Sequence, residues 1–257
     1  MSSIVFILGA GASKMAGVPL MNDFLDRSYY LWKSGCFTKY DEEFKLVYGA
    51  ISDLQKVHSK SQLDIINIES VFSAFEMAKT LRQFSDYPVD RIDRLSQAMR
   101  TLIIQTIEQQ VDFKRTQDTI PPPQPYQKFA EMVDKLINRA SPKQSLSIIT
   151  FNYDMCVDYS LFWKHLPFDY GLNDAIESHH LGFLKLHGSL NWGYCEKCKK
   201  IIPFDVEEYC DKNGWHRQNG FFKMEIGSQL DQITCCDDPI NGKPVIVPPT
   251  WNKTDYH

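Results

Sequence analysis

An apolar run that leads into a glycine-rich loop constrains this chain more than any other feature. Ser3 to Leu8 reads Ser-Ile-Val-Phe-Ile-Leu, and Gly9 to Ser13 reads Gly-Ala-Gly-Ala-Ser. A short apolar run is typical of a buried central strand in a parallel sheet. Glycines let a backbone approach a ligand closely, and free N–H groups at a helix start bind phosphate oxygens. The segment predicts a strand followed by a phosphate-binding loop made by Gly9, Ala10, Gly11, Ala12 and Ser13. The alternative is an ordinary tight strand-to-helix turn.

Two further strands are predicted to end in polar residues. Leu146 to Thr150 is apolar and continues as Thr-Phe-Asn-Tyr-Asp to Asp154. In open α/β sheets, ligands bind beyond the carboxyl ends of the strands. Asn152 can orient a water or a ribose hydroxyl there, and Asp154 can accept a hydrogen bond from an amide. Alternatively, both residues cap the following helix, which suits their side chains equally well.

The third polar strand end carries a histidine. Phe183 to Leu186 predicts a strand, and His187, Gly188 and Ser189 follow it. The ordinary pKa of histidine lies near neutrality, so His187 is a candidate general base. The alternative is a structural histidine whose ring is satisfied by the backbone.

The remaining pattern predicts an α/β fold interrupted twice. Helical spacing of apolar residues covers most of 21–115, with longer helices at 68–84 and 92–111, and another helix spans 126–138 after a proline-rich linker. Val245 to Val247 predicts a further strand. We therefore expect a single domain, 1–257, with a Rossmann-like parallel sheet formed by residues 1–24, 141–192 and 240–257. Residues 25–140 form the inserted helical module and 193–239 a small, zinc-ribbon-like cysteine module.

The cysteine module contains two close pairs of thiols. Cys195 and Cys198 form a Cys-x2-Cys knuckle, and Cys235 and Cys236 are adjacent. Four thiolates suit a structural zinc ion, because a closed tetrahedral shell leaves no position for water. The adjacent second pair is unusual for such a site, so Cys210 and His216 are possible substitutes for one ligand. The alternative is that the cysteines are merely packed.

Composition restricts the class of protein. The chain has 257 residues, seven cysteines and a net charge of −4, which gives no clear signal for nucleic-acid binding. No apolar run approaches the roughly 20 residues of a membrane helix. The N-terminal run also lacks the basic start of a secretory signal. We expect a cytoplasmic protein that has no membrane contact and keeps its cysteines reduced; Cys36 and Cys156 are predicted to lie in the core.

The three strand-end motifs, in this order, resemble the sirtuin superfamily, and more closely its bacterial sirtuin-like branch of anti-phage defence effectors. The shared elements are the loop Gly9 to Ser13, the Gly17-Val18-Pro19 that follows it, Thr150 to Asp154, and Leu186-His187-Gly188. The resemblance covers the sheet segments, about half of the chain. The ordered set is specific, whereas each motif alone is not.

This resemblance implies NAD as substrate and hydrolysis to ADP-ribose and nicotinamide. It places Asn152 at the water and ribose, Asp154 at the nicotinamide amide and His187 as proton acceptor. The implied NAD-binding residues are Gly9, Ala10, Gly11, Ala12, Ser13, Pro19, Thr150, Asn152, Asp154, His187, Gly188 and Ser189. It also implies structural zinc held by Cys195, Cys198, Cys235 and Cys236, assembly as a homo-oligomer, and a phage-derived or partner-protein trigger.

Two departures from the family keep other functions open. Sirtuin deacylases carry Asp-Phe-Arg after their Gly-Ile-Pro, whereas Leu20-Met21-Asn22 stands here. The missing arginine counts against protein deacylation, which stays an alternative together with a non-catalytic module that binds an NAD-derived nucleotide or only assembles. The family also continues beyond the Pro248 to Thr250 strand, so we expect the C-terminal part of the fold to be missing from these 257 residues.

Overall fold

The computed structural model describes residues 3–58, 67–114, 116, 119–139, 145–172, 181–213 and 221–249. The helices in this part of the chain are α1 (Phe24–Lys33), α2 (Asp41–His58), α3 (Ile68–Leu81), α4 (Val89–Gln110), α5 (Gln124–Arg139), α6 (Cys156–Trp163) and α7 (Val206–Lys212). The strands are β1 (Ser3–Leu8), β2 (Asp112–Lys114), β3 (Ser145–Thr150), β4 (Phe168–Asp169), β5 (Leu181–Lys185), β6 (Gly188–Ser189), β7 (Trp192–Cys195), β8 (Lys200–Pro203), β9 (Phe221–Lys223), β10 (Thr234–Cys235), β11 (Asp238–Pro239) and β12 (Val245–Ile246).

The chain divides into two compact units. Unit 1 consists of Met1–Val18 and Gln110–Ile246, and unit 2 of Pro19–Gln109 and Val247–His257. Unit 1 contains a four-stranded parallel sheet with the order β1-β3-β5-β4, so the expected α/β class with a parallel sheet is confirmed. Helix α5, which the sequence pattern assigned to the helical module, belongs to unit 1.

The register of the parallel sheet places three strand ends side by side. Leu8 pairs with Thr150, and Thr150 pairs with Lys185. Because parallel strands run in one direction, the residues that follow these three positions leave the sheet at the same edge. The predicted strands at the three motifs are confirmed, and their polar ends therefore meet at one edge of unit 1.

The first strand differs from its prediction. In the described sheet β1 is an edge strand, with Val5 51% and Ile7 68% exposed, so its assignment as a buried central strand is wrong for this sheet. The apolar run predicted the strand correctly. The apolar run does not indicate where the strand lies in the sheet, because an edge strand and a central strand can have the same apolar sequence. On the same strand, Phe6 packs edge-to-face on Phe129 of α5.

Unit 2 has a core built from helices α1 to α4. Its fully buried apolar side chains recur at helical spacing, as expected for amphipathic helices, and include Phe44, Phe72, Phe75, Leu95 and Met99. Asn67 caps α3 by accepting a hydrogen bond from the Glu69 N–H. The predicted helices of this segment are confirmed to within a few residues at their ends.

The two cysteines predicted to lie in the core behave differently. Cys156, at the start of α6, is buried, as expected. Cys36 is exposed, so the prediction for this residue is wrong; it lies just beyond the end of α1, in a turn whose backbone is bonded back to that helix. Among the described helices, none combines the length and the apolar character needed to cross a membrane.

Candidate functional site

The glycine-rich loop and the end of β3 are joined by the side chain of Asn152. Its Nδ2 donates to the carbonyl of Gly9 at 2.8 Å and to Ser13 Oγ at 2.9 Å, although these residues are about 140 positions away in sequence. The two donations fix which way the amide faces. They leave Oδ1 as the acceptor that Asn152 can offer to a ligand hydroxyl or a water.

Asp154 lies beneath the loop and is 5% exposed. Its Oδ2 accepts from Ser13 Oγ at 2.5 Å, and its Oδ1 accepts from the N–H of Cys156 at 3.0 Å. Both oxygens are thus engaged, one with the glycine-rich loop and one with the first residue of α6. Asp154 therefore bonds to the start of the following helix, as the alternative interpretation of the sequence expected. Its bond to Ser13 also connects the loop to the sheet. We call Ser13, Asn152 and Asp154 the strand-end cluster.

The loop itself is a 3-10 helix over Ala10–Ala16 that starts directly after Gly9. Gly9, Ala10 and Gly11 are exposed and Ala12 is half-buried, and the Ala12 N–H donates to the Gly9 carbonyl within the loop. The loop ends at Gly17, where φ is +98° and an added Cβ would lie 2.5 Å from the carbonyl oxygen of Gln110. Glycine is needed at that position, which the sequence pattern did not single out for its conformation.

Thr150 stabilises the backbone around the strand-end cluster. Its hydroxyl donates to the Leu8 carbonyl at 3.3 Å and accepts from the Asn152 N–H at 3.1 Å. Because Thr150 is 2% exposed, this hydroxyl is available to its neighbours in the protein and not to a ligand. Its role is to hold the ends of β1 and β3 together.

His187 occupies on β5 the position that Asn152 occupies on β3. Each lies two residues beyond a strand end, and those ends, Thr150 and Lys185, are paired in the sheet. His187 is half-buried, and its ring contacts Phe151 edge-to-face at 5.3 Å between centroids. The structure therefore places the candidate base at the same sheet edge as the strand-end cluster.

Gly188 and Ser189, which follow His187, are both buried. Gly188 has φ +80° and pairs with Ile246, and an added Cβ would overlap the carbonyl oxygen of Val245. Ser189 is buried, and its hydroxyl donates to Asn191 Oδ1 at 2.7 Å. Both residues support the turn that carries His187. Pro19, the other expected NAD contact, is the first residue of unit 2.

A buried ion pair beneath the strand-end cluster was missed by the sequence analysis. Lys185 Nζ lies 2.9 Å from Asp158 Oδ2, both side chains are 0% exposed, and the ammonium also donates to the Asp154 carbonyl at 2.7 Å. Tyr170 donates its hydroxyl to Asp158 at 2.6 Å. Burial raises the pKa of Asp158, while the ammonium and the Tyr170 hydroxyl act to lower it. The signal in the sequence was a lysine inside the apolar run Phe-Leu-Lys-Leu.

The four cysteines of the predicted module come together. The sulfurs of Cys195, Cys198, Cys235 and Cys236 all lie within 4.8 Å of one another. Two of the separations, Cys198 to Cys235 and Cys235 to Cys236, are 3.7 Å. A tetrahedral shell with metal–sulfur bonds of about 2.3 Å places its sulfurs about 3.8 Å apart, so this set, the cysteine cluster, has the dimensions to hold a metal ion.

Local backbone geometry presents these thiols. Lys199 follows Cys198 with φ +57°, and Cys236 and Asp237 have φ +54° and +66° between β10 and β11. These turns lie at the ends of the hairpins β7–β8 and β10–β11, which are next to each other at the four cysteines. A hydrogen bond from the Cys198 N–H lowers the pKa of Cys195 to about 7, whereas side-chain hydrogen bonds with the neighbouring thiols of Cys195 and Cys198 raise the pKa of Cys235 to about 12.

Cys210 and His216 were the two possible substitutes for one zinc ligand. Cys210 is buried on α7, and burial raises the pKa of its thiol. It is not part of the cysteine cluster. His216 lies outside the described residues.

No protein-family model matches this chain, and no curated protein is significantly similar to it.

Proposed function

We propose that unit 1 is an NAD glycohydrolase, which cleaves NAD to ADP-ribose and nicotinamide. The observation that carries the proposal is the pair of hydrogen bonds from Asn152 to Gly9 and Ser13. They join an exposed glycine-rich loop, suited to a pyrophosphate, to polar groups at the carboxyl edge of a parallel sheet. The resemblance of the motifs to the sirtuin-like defence branch supplies the choice of NAD among nucleotides.

In the proposed reaction, water attacks C1′ of the nicotinamide ribose, and the bond from C1′ to the pyridinium nitrogen breaks. Nicotinamide takes the bonding electron pair and leaves as a neutral molecule, after a transition state with oxocarbenium character. The attacking water loses one proton. His187 accepts that proton, directly or through a ribose hydroxyl, and releases it to solvent.

Asn152 and Asp154 have different tasks in this scheme. Asn152 offers Oδ1 to the water or to a ribose hydroxyl, because both hydrogens of its Nδ2 are donated to the loop. Asp154 has both oxygens engaged, so we assign it to positioning Ser13 and the loop and not to contact with the nicotinamide amide. Orientation of the reactants supplies most of the rate acceleration.

We further propose zinc as the ion of the cysteine cluster, because thiolate ligands favour zinc and a four-sulfur shell is closed to water. Its role is structural. The resemblance adds three elements to the proposal: a part in anti-phage defence, homo-oligomeric assembly, and activation by a phage-derived or partner-protein trigger.

The test is incubation of the purified protein with NAD, followed by chromatography of the products. We expect ADP-ribose and nicotinamide in equal amounts, and a loss of rate of about 100-fold or more in His187→Ala and Asn152→Ala. Asn138→Ala is the matched control, because Asn138 is an exposed residue of α5 whose side chain donates to Asp134 of the same helix. Full activity in both site variants would remove the site assignment.

The same experiment separates the alternatives. Turnover only when an acetylated peptide is added would establish a deacylase. Binding of NAD in calorimetry, without products in any condition, would favour the non-catalytic nucleotide-binding module. In that case Asn152→Ala weakens binding, since the loop it holds is the proposed pyrophosphate site.

A further inference from the structure

Unit 1 contains a cavity that the proposed reaction does not use. It has a volume of about 660 Å³ and lies between the end of α6 with β4 on one side and β8 with α7 on the other. This volume lies within the range of small-molecule sites. The lining includes Tyr170 and Asn191 but none of the residues of the strand-end cluster, nor His187.

The walls of the cavity are mainly aromatic and aliphatic. Phe168 and Tyr170 meet edge-to-face at 5.2 Å between ring centroids, and Phe204, Ile201 and Ile202 face the same space. Such walls bind a flat or extended apolar body. The ring of Phe204 also lies 5.2 Å from the ammonium of Lys212, which is paired with Glu208, so this ring already takes part in a cation–π contact.

The described lining of the cavity is rich in carboxylates. Asp169, Asp205 and Glu207 line it together with one basic residue, His165, and no lysine or arginine is found among its described lining residues. Asp205 Oδ1 accepts from the Glu208 N–H as the N-cap of α7. Burial raises the pKa of Tyr170 well above its ordinary value, and the carboxylates of Asp158 and Asp205 raise it further.

The polar back wall does not favour an anion. The Nδ2 group of Asn191 donates to the Tyr170 hydroxyl at 3.1 Å and to the Phe204 carbonyl at 2.9 Å, and its Oδ1 accepts from Ser189. The amide hydrogens are therefore already used. The Tyr170 hydroxyl donates its own hydrogen to Asp158. An entering carboxylate or phosphate would meet negative charge with no compensating donors from these groups.

We propose that this cavity binds a small organic cation with an aromatic or aliphatic body, an arylalkylamine being the simplest case. The apolar body packs against Phe168, Tyr170 and Phe204, and the ammonium lies at the rim near Asp169, Asp205 and Glu207. The site is separate from the NAD site, so it stands whether or not the chain hydrolyses NAD.

The test uses three probes of matched shape: phenethylamine, 2-phenylethanol and 3-phenylpropanoate. Binding is followed by protein-observed NMR titration of the full chain, with the Asn191 side-chain amide as the reporter inside the cavity. We expect saturable binding of phenethylamine with a Kd of about 1 mM, a value usual for a ligand of this size. The alcohol binds at least about tenfold more weakly, and the carboxylate does not shift the Asn191 resonance.

The variant that tests the charge is the triple Asp169→Asn/Asp205→Asn/Glu207→Gln, in which the amide introduced at position 205 retains the helix-capping acceptor. We expect it to bind phenethylamine about tenfold more weakly than the native chain. The control triple Glu42→Gln/Glu69→Gln/Glu131→Gln removes the same charge from exposed positions elsewhere and leaves binding within about twofold.

Three results would overturn the proposal. The first is equal binding of the amine and the alcohol, the second is unchanged amine binding in the cavity triple, and the third is no saturable binding of the amine up to about 10 mM. Any of these leaves the proposed NAD reaction unaffected, because the measurement contains no NAD. Conversely, an inactive strand-end cluster does not alter the expected titration.

Discussion

The strand-end cluster and the cysteine cluster both join distant parts of the sequence, but by different means. Ser13, Asn152 and Asp154 are brought together by the pairing of β1 with β3, and their own hydrogen bonds then fix the loop. The four cysteines lie at the tips of two short hairpins, β7–β8 and β10–β11, in which few backbone pairs hold the ends.

This difference indicates that the fold preorganises the strand-end cluster more than the cysteine cluster. In the strand-end cluster, neighbouring backbone bonds and buried partners over-determine the position of each side chain. In the cysteine cluster, the separations between sulfurs suit a metal, and a metal would supply the connection that the backbone lacks. We therefore expect the first cluster to depend on the polar core beneath it and the second to depend on its ion.

The largest effect is expected from removing the metal. A strong chelator, or the double variant Cys195→Ser/Cys198→Ser, lowers the Tm by about 10 °C or more, because metal binding contributes several kcal/mol to folding. Elemental analysis should give one zinc per native chain and none per variant. The exposed Cys36→Ser is the control and keeps both the metal content and the Tm. Equal Tm values with and without metal would show that the hairpins are held by packing alone.

The second-largest effect is expected from breaking the buried ion pair of Lys185 and Asp158. Lys185→Met leaves the Asp158 carboxylate buried without its cation and costs about 3–5 kcal/mol in chemical denaturation. Lys185→Met/Asp158→Asn removes both charges, keeps an acceptor for the Tyr170 hydroxyl, and recovers at least about half of that loss. If the double variant is no more stable than the single one, the unpaired Asp158 carboxylate is not the cause of the lost stability.

The smallest effects are expected from alanine substitutions of two glycines of the site, Gly188 and Gly9. Gly188→Ala costs about 2 kcal/mol or more, since φ is +80° and the new methyl meets the Val245 carbonyl. Gly9→Ala costs less than about 1 kcal/mol, because no atom lies within 4 Å of the added Cβ. Calorimetry should nevertheless show weaker NAD binding for Gly9→Ala, as the methyl would lie where we propose that the pyrophosphate approaches the backbone. Unchanged affinity would place the nucleotide away from this loop.

Particular residues show how far sequence reasoning reached. The strands before Gly9, Asn152 and His187 were predicted because short apolar runs ending in polar residues are a strong local signal. The cysteine cluster was predicted from two pairs of thiols, although their adjacency at Cys235 and Cys236 was atypical. Cys36 was misplaced, because a hydrophobic residue type says little about burial outside a periodic segment.

The roles of buried polar groups were harder to predict. Lys185 lies in a pattern that indicates only a strand, and its partner Asp158 is on another element. Asp154 was predicted either to contact a ligand or to cap the following helix, and its oxygens bond to Ser13 and Cys156. A hydrogen-bond partner is a property of the assembled structure, because one residue type can serve either purpose.

Local sequence patterns predicted strands β1, β3, β5 and β12, the helices of unit 2, the polar residues at the strand ends and the four thiols, since each depends on local periodicity or on residue chemistry. Three features became apparent only in the folded structure: β1 is an edge of the described sheet, a lysine–aspartate pair supports the strand-end cluster, and a cavity with an acidic rim lies beside β4. These features depend on strand order, register and the packing of elements distant in sequence, and on which buried charges thereby become neighbours.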